Sequence, residues 1–161
     1  KLASQLLNSK YNSLFERIAS ETSIPPSFIA ATLTETLRSL KREGIDVDSF
    51  SMSSIFTLFS AIDANLVAKE AIPQVLQWMA EHQQLDPHSA INALGLKLIP
   101  LEQLEDAVDA VLKENQDLIM TRQLSAIGPL MGMLMKKYRG QIDAKALSQL
   151  ITTKIKKMLD R

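Results

Sequence analysis

The chain has 161 residues, 46% hydrophobic and 22% charged, with 18 Lys and Arg balancing 18 Asp and Glu. That length holds one good-sized core or two small ones, and that composition excludes a mainly disordered chain. With no cysteine, disulfides, thiol catalysis and cysteine-based zinc sites are excluded together.

Residues 2–9 carry no assignable pattern. Over 11–22, Tyr11, Leu14, Phe15 and Ile18 fall at i, i+3, i+4 and i+7, the apolar stripe of a helix. Pro25 and Pro26 stop that helix and suit the first turn of the next. From Ser27 the second helix carries Phe28, Ile29, Leu33, Leu37 and Leu40, and Gly44 closes it. Ser51 or Ser53 caps a third helix around Ile55, Phe56, Leu58, Phe59 and Ile62, which Asn65 breaks. A fourth is expected over 67–83, although Pro73 is awkward there unless the helix begins near Glu70. Asp86 and Pro87 open a short helix that ends at Gly95. The next starts at Leu101 and turns Leu101, Leu104, Val108, Val111 and Leu112 inward. The stretch 126–140 follows and Gly140 ends it; a last helix has Asp143 as cap and Leu147, Leu150, Ile151, Ile155, Met158 and Leu159 as core face.

No segment alternates with period two, so an all-α fold is expected. It reads as two small helical subdomains, a roughly four-helix bundle over 1–84 and a roughly three-helix bundle over 85–161.

Chemistry-bearing motifs are scarce. His82 and His88 flank Asp86 in a polar turn, short of the three or four converging ligands a metal needs. Glu102, Glu105, Asp106 and Asp109 lie opposite an apolar stripe, which makes them a solvated face. There is neither a glycine-rich phosphate loop nor a G-x-S-x-G nucleophile motif. No catalytic residue and no metal ligand is therefore assigned. Charge-free runs such as 49–62 fall short of the ~18–20 apolar residues of a membrane span. No secretory leader pattern is present. The expectation is a cytoplasmic protein with no membrane partner.

The charge is unevenly placed. Residues 124–161 carry six Lys and two Arg against Asp143 and Asp160, a net +6, which points to a polyanionic partner. Within them lies the stretch "AIGPLMGMLMKKYRG" at 126–140. At 100° per residue, Gly128, Gly132, Lys136 and Arg139 share one stripe, while Ile127, Leu130, Met131, Leu134 and Tyr138 share the neighbouring arc. A mid-helix glycine costs about 1 kcal/mol against alanine, so a compensating contact is expected. Three readings stay open. The glycines admit a neighbouring helix of the same bundle, or a phosphate backbone held by Lys136 and Arg139, or a partner helix lodged against Met131, Met133 and Met135.

"SAIGPLMGMLMKKYRGQIDAKALSQLI" resembles the tail signature of the tRNA-dependent amidotransferases, in the version of the archaeal GatE family. "IPPSFIAATLTETLRSLKREGIDVDSFS" is also similar to GatE, and the resemblance runs from about Leu14 to Leu159. The same helical domain occurs in small YqeY-like proteins. The resemblance implies a non-catalytic tail, cut from a longer chain since the sequence starts at Lys1. Such a tail grips the outer corner and D-loop of tRNA(Gln) while the parent enzyme converts Glu-tRNA(Gln) to Gln-tRNA(Gln). The parent is expected to use ATP, Mg and an amide donor, with no cofactor in the tail itself. The implied partners are tRNA(Gln), the catalytic part of the parent subunit and its amidase partner, without DNA. Gly128, Gly132, Lys136, Arg139 and Gly140 match the signature. Gln141 and Ala144 stand where GatE commonly has a basic residue and a glycine. Lys145, sharing a stripe of the last helix with Lys156, is expected to take over that contact. The alternative function is a helical docking module for a protein partner or for the parent subunit.

Overall fold

The computed structural model describes residues 2–161, and over these it is helical, without a strand. It divides into two compact units, the first running to Leu96 and the second spanning Lys97–Arg161.

In the first unit, α1 (Leu2–Leu7) occupies the segment that sequence left unassigned and buries Leu6. It precedes α2 (Asn12–Glu21), α3 (Pro26–Ala31) and α4 (Leu37–Arg42). Pro26 is the first residue of α3, where a missing N–H leaves no hydrogen bond unmade. Between α3 and α4 the single helix expected from periodicity widens into a π turn over Thr32–Thr36. The hydroxyls of Thr32 and Thr34 donate to the carbonyls of Phe28 (2.9 Å) and Ala30 (2.7 Å), competing with backbone N–H groups for those acceptors. Gly44, at φ +90°, ends α4.

Of the two candidate caps for α5 (Met52–Asp63), Ser51 serves: its hydroxyl accepts from the Ser54 N–H at 3.0 Å. The helix expected over 67–83 begins later. Lys69–Ala71 form a 3-10 turn and α6 (Ile72–Glu81) follows, which places Pro73 in its first turn. His82 stacks on Trp78 with ring centroids 4.1 Å apart, and its Nδ1 lies 2.9 Å from the Trp78 carbonyl oxygen.

Asp86 caps α7 (Pro87–Ala93), its carboxylate accepting from the His88 N–H at 3.1 Å. This helix moves the domain boundary. Sequence placed it at 84/85, but Ala90, Ile91 and Leu96 are buried in the first core. The Ser54 hydroxyl also donates to the Leu85 carbonyl. The division consequently falls after Leu96.

The second unit contains α8 (Leu101–Glu114), α9 (Gln116–Arg122), a 3-10 turn at Gln123–Ala126, α10 (Ile127–Lys137) and α11 (Ala144–Leu159). Its core joins Leu104, Val108 and Leu112 of α8 to Ile119, Leu130, Leu134, Leu147, Ile151 and Ile155. Leu101, expected inside, is 64% exposed because it is the first residue of α8, beyond the end of the core stripe. Periodicity missed α9. It is short and mostly polar, with Ile119 its one buried residue and Leu118 packed partly buried against the core. Gln116–Lys137 is long and apolar enough to cross a membrane by length and composition, with a mean hydropathy of 1.2. In the fold, Gln123 at φ +50° breaks that run, and its Ile119, Ala126, Leu130 and Leu134 belong to the core.

Candidate nucleic-acid interface

The site is built on α10 and the turn that follows it. The first four N–H groups of a helix have no intrahelical partner, so Pro129, third in α10, removes no bond. One side of the helix is fixed by burial: Leu130 and Leu134 are fully enclosed, and Ile127, Met131, Met135 and Tyr138 pack beside them. On the other side Gly128, Pro129, Gly132, Met133, Lys136 and Lys137 are exposed.

The glycines distinguish between the readings left open by sequence. A Cβ built on Gly128 or Gly132 meets nothing within 4 Å. Neither glycine therefore admits a neighbouring helix of its own unit, and that reading is corrected. What remains is a length of bare helical backbone facing open space. Gly132→Ala is accordingly expected to stabilise the second unit by about 0.5–1 kcal/mol, read from the denaturant midpoint. A loss of stability would mean that the position is crowded.

The helical wheel needs a second correction. The helix ends at Lys137, and Tyr138 leaves helical geometry at φ −117°, ψ 42°. Arg139 is therefore in the turn, not on the Gly128–Gly132–Lys136 line, although it is exposed. Gly140 adopts φ +76°, a left-handed conformation that favours glycine, and the Gln141 N–H donates to the Tyr138 carbonyl at 2.9 Å. Its part is to turn the chain from α10 into α11.

Lys145 is the second residue of α11, and its N–H donates to the capping Asp143 carboxylate at 3.3 Å. Lys136 in the last turn of α10, Arg139 in the turn and Lys145 at the start of α11 thus flank the link that carries α10 into α11. Lys156 does not. At 1.5 Å per residue it lies roughly 16 Å from Lys145, at the far end of the helix.

Charge flanking this link is unspent. Among the described residues Lys136, Arg139, Lys145 and Lys156 have no ion pair. Lys154 does: its ammonium donates to Asp109 at 2.7 Å and ties α11 to α8. The Lys137 ammonium lies 5.3 Å from the Tyr138 ring centroid. Sequence assigned no role to Lys113, Lys157 and Arg161, which with Lys154 line a shallow depression of about 280 Å³ beside Asp109. Lys113 and Lys157 stand in the last turns of α8 and α11, where the helix dipole itself favours cations. The acidic side chains Glu102, Glu105, Asp106 and Asp109 are exposed. Among the described residues no three His, Asp or Glu converge as a metal site.

The family described as GatB domain matches residues 13–155. The GatE chain of the glutamyl-tRNA(Gln) amidotransferase of Methanosarcina barkeri is 34% identical over 164 residues, covering 99% of this chain and 25% of the relative. That of Methanocaldococcus jannaschii is 31% identical over 159 residues, covering 98% and 25%. That of Thermococcus sibiricus is 30% identical over 154 residues, covering 96% and 24%. No solved structure matches. The chain spans about a quarter of the length of these curated relatives. With the family matched from residue 13 to residue 155, the chain belongs to the GatB domain family.

Proposed function

We propose that this chain is the tRNA-binding tail of a Glu-tRNA(Gln) amidotransferase subunit, gripping the outer corner and D-loop of tRNA(Gln). One observation carries the reading: the open backbone at Gly128 and Gly132 runs into Lys136, with Arg139 and Lys145 in the link to α11, all without an ion pair among the described residues. Small residues let a sugar-phosphate backbone approach, and unpaired cations neutralise its phosphates. Structured RNA is held mainly by shape and backbone, which suits such a surface. Lys156 belongs to the same helix but to a separate contact. The relatives named as amidotransferase subunits supply the substrate class, tRNA(Gln) and its glutamyl ester. The partners under this reading are tRNA(Gln), the rest of the parent subunit and its amidase partner, at a cytoplasmic address. ATP, Mg and an amide donor are used elsewhere in the parent.

A docking module is the second reading. The observation favouring it is the exposure of Met120 (69%), Leu124 (46%) and Met133 (45%) along α9, the 3-10 turn and α10. Salt separates the two. Binding to tRNA(Gln) and to a mismatched tRNA is measured at about 50 and 200 mM salt. Neutralising three phosphates of a largely single-stranded loop gives a log–log slope of roughly −2, hence a loss of more than tenfold across that range. Preference for tRNA(Gln) with such a slope supports the tail reading. Salt-independent association, or none at low salt, replaces it with docking.

A further inference from the structure

We infer that the first unit carries a second oxyanion site, a cleft bordered by α1, the link from α1 to α2, and α4, that receives a phosphodiester of the bound RNA through Lys10, Arg38 and Lys41. This rests on the RNA-binding reading above. Residues 2–96 hold six Lys and Arg against ten Asp and Glu, so most of this unit repels a polyanion. Three of the six cations nevertheless line one cleft of about 260 Å³, together with Asp48. Two of the others are engaged elsewhere. Arg17 donates to Glu21 at 3.2 Å and lies 3.8 Å from the Phe56 ring centroid, while Lys69 lies over the Phe28 ring.

Asp48 sits in this cleft as a built-in anion. Its Oδ1 accepts from Lys10 Nζ at 2.7 Å and its Oδ2 from Lys41 Nζ at 2.6 Å. Two phosphate oxygens make the same pair of charge-assisted contacts. The hydrogen bonds from Lys10 and Lys41 hold the Asp48 carboxyl down at about 2, so it is charged at every pH at which RNA binding is measured. The side chains of Lys10, Asp48 and Lys41 are 50%, 49% and 64% exposed, and they exchange partners without opening the core.

A clamp that merely fastens the 3-10 turn Val47–Ser49 explains Lys10, Lys41 and Asp48. It leaves Arg38 unexplained. The Arg38 guanidinium reaches only Gln5 Oε1, at 3.4 Å, and among the described residues no carboxylate pairs with it. Three cations facing one carboxylate leave the cleft an excess of positive charge, in a unit whose total is negative.

The test uses the whole chain and tRNA(Gln). Arg38→Gln leaves the clamp intact; it is expected to weaken binding roughly three- to fivefold and to flatten the log K–log salt slope by about 0.7–0.9. Asp48→Asn removes the competing anion and is expected to tighten binding roughly two- to fivefold. The control, Glu16→Gln, removes the same charge from an exposed side chain of α2 with no ion pair, and is expected to shift binding by less than about 1.5-fold. Helical content and melting are followed for every variant. If wild type binds but Arg38→Gln keeps its affinity and slope, the cleft is a structural clamp and the inference is overturned while the RNA reading stands. An Asp48→Asn effect no larger than that of Glu16→Gln overturns it equally. If wild type itself does not bind tRNA, the RNA reading fails and this site fails with it.

Discussion

Lys136→Glu combined with Arg139→Glu is expected to weaken tRNA binding by roughly a hundredfold near 0.1 M salt and to flatten its salt slope by about 1.4. Each substitution removes one phosphate contact and sets a negative charge in its place. Tenfold per position corresponds to about 1.4 kcal/mol, within the range of one lost charge-assisted contact. The control is Lys137→Glu, which is expected to cost less than about threefold. Lys136 and Lys137 both stand in the last turn of α10, so a glutamate at either meets the same unfavourable helix dipole. Any shared loss through stability therefore cancels in the comparison. Lys137 already lies against the Tyr138 ring, whereas Lys136 follows the open line of Gly128 and Gly132. Equal losses from all three positions would mean that net charge alone governs binding.

Ile119→Ala is expected to destabilise the second unit by about 2–4 kcal/mol, the cost of removing a fully enclosed branched side chain and leaving a cavity. Ile119 is wholly buried and is the buried residue of α9. Its loss undocks a seven-residue helix that is too short to persist alone. Native-state hydrogen exchange checks where the effect falls: protection drops in α8–α11 and is retained in α2–α6. A loss below about 1 kcal/mol would show that α9 is held by something other than this side chain.

The amphipathic elements were legible because burial enforces a 3.6-residue period. The stripes around Ile18, Ile29, Phe59 and Ile151 are in the cores, as their spacing requires. Caps were equally readable at Ser51, Asp86 and Asp143, where a short polar side chain precedes an apolar run. The π turn was not, because threonine hydroxyls reorganise the carbonyls without disturbing the apolar pattern. α9 escaped because one buried residue sets no period. Within the candidate site, spacing alone put the glycines and Lys136 on one line of α10, and all three are exposed. Arg139 was misplaced by the same method, since periodicity extends a helix past an end that backbone geometry has already imposed at Tyr138. The cleft around Asp48 was invisible to any local window: Lys10 lies 38 positions from its partner.

The second unit carries its charges on different helices, acidic on the outer side of α8 and basic around the α10–α11 corner. A body of this kind feels only a modest net pull from a distant polyanion, but it feels a torque. Under the RNA-binding proposal, within about a Debye length, some 8–10 Å at 0.1–0.15 M salt, the field of a phosphate chain draws the basic corner towards it and pushes the acidic side chains of α8 away. Encounters that begin with α8 forward are repelled before contact, and fewer collisions are wasted on the wrong face. Orientation is thereby chosen during approach, and adding salt slows arrival in the correct pose before it loosens the complex once formed.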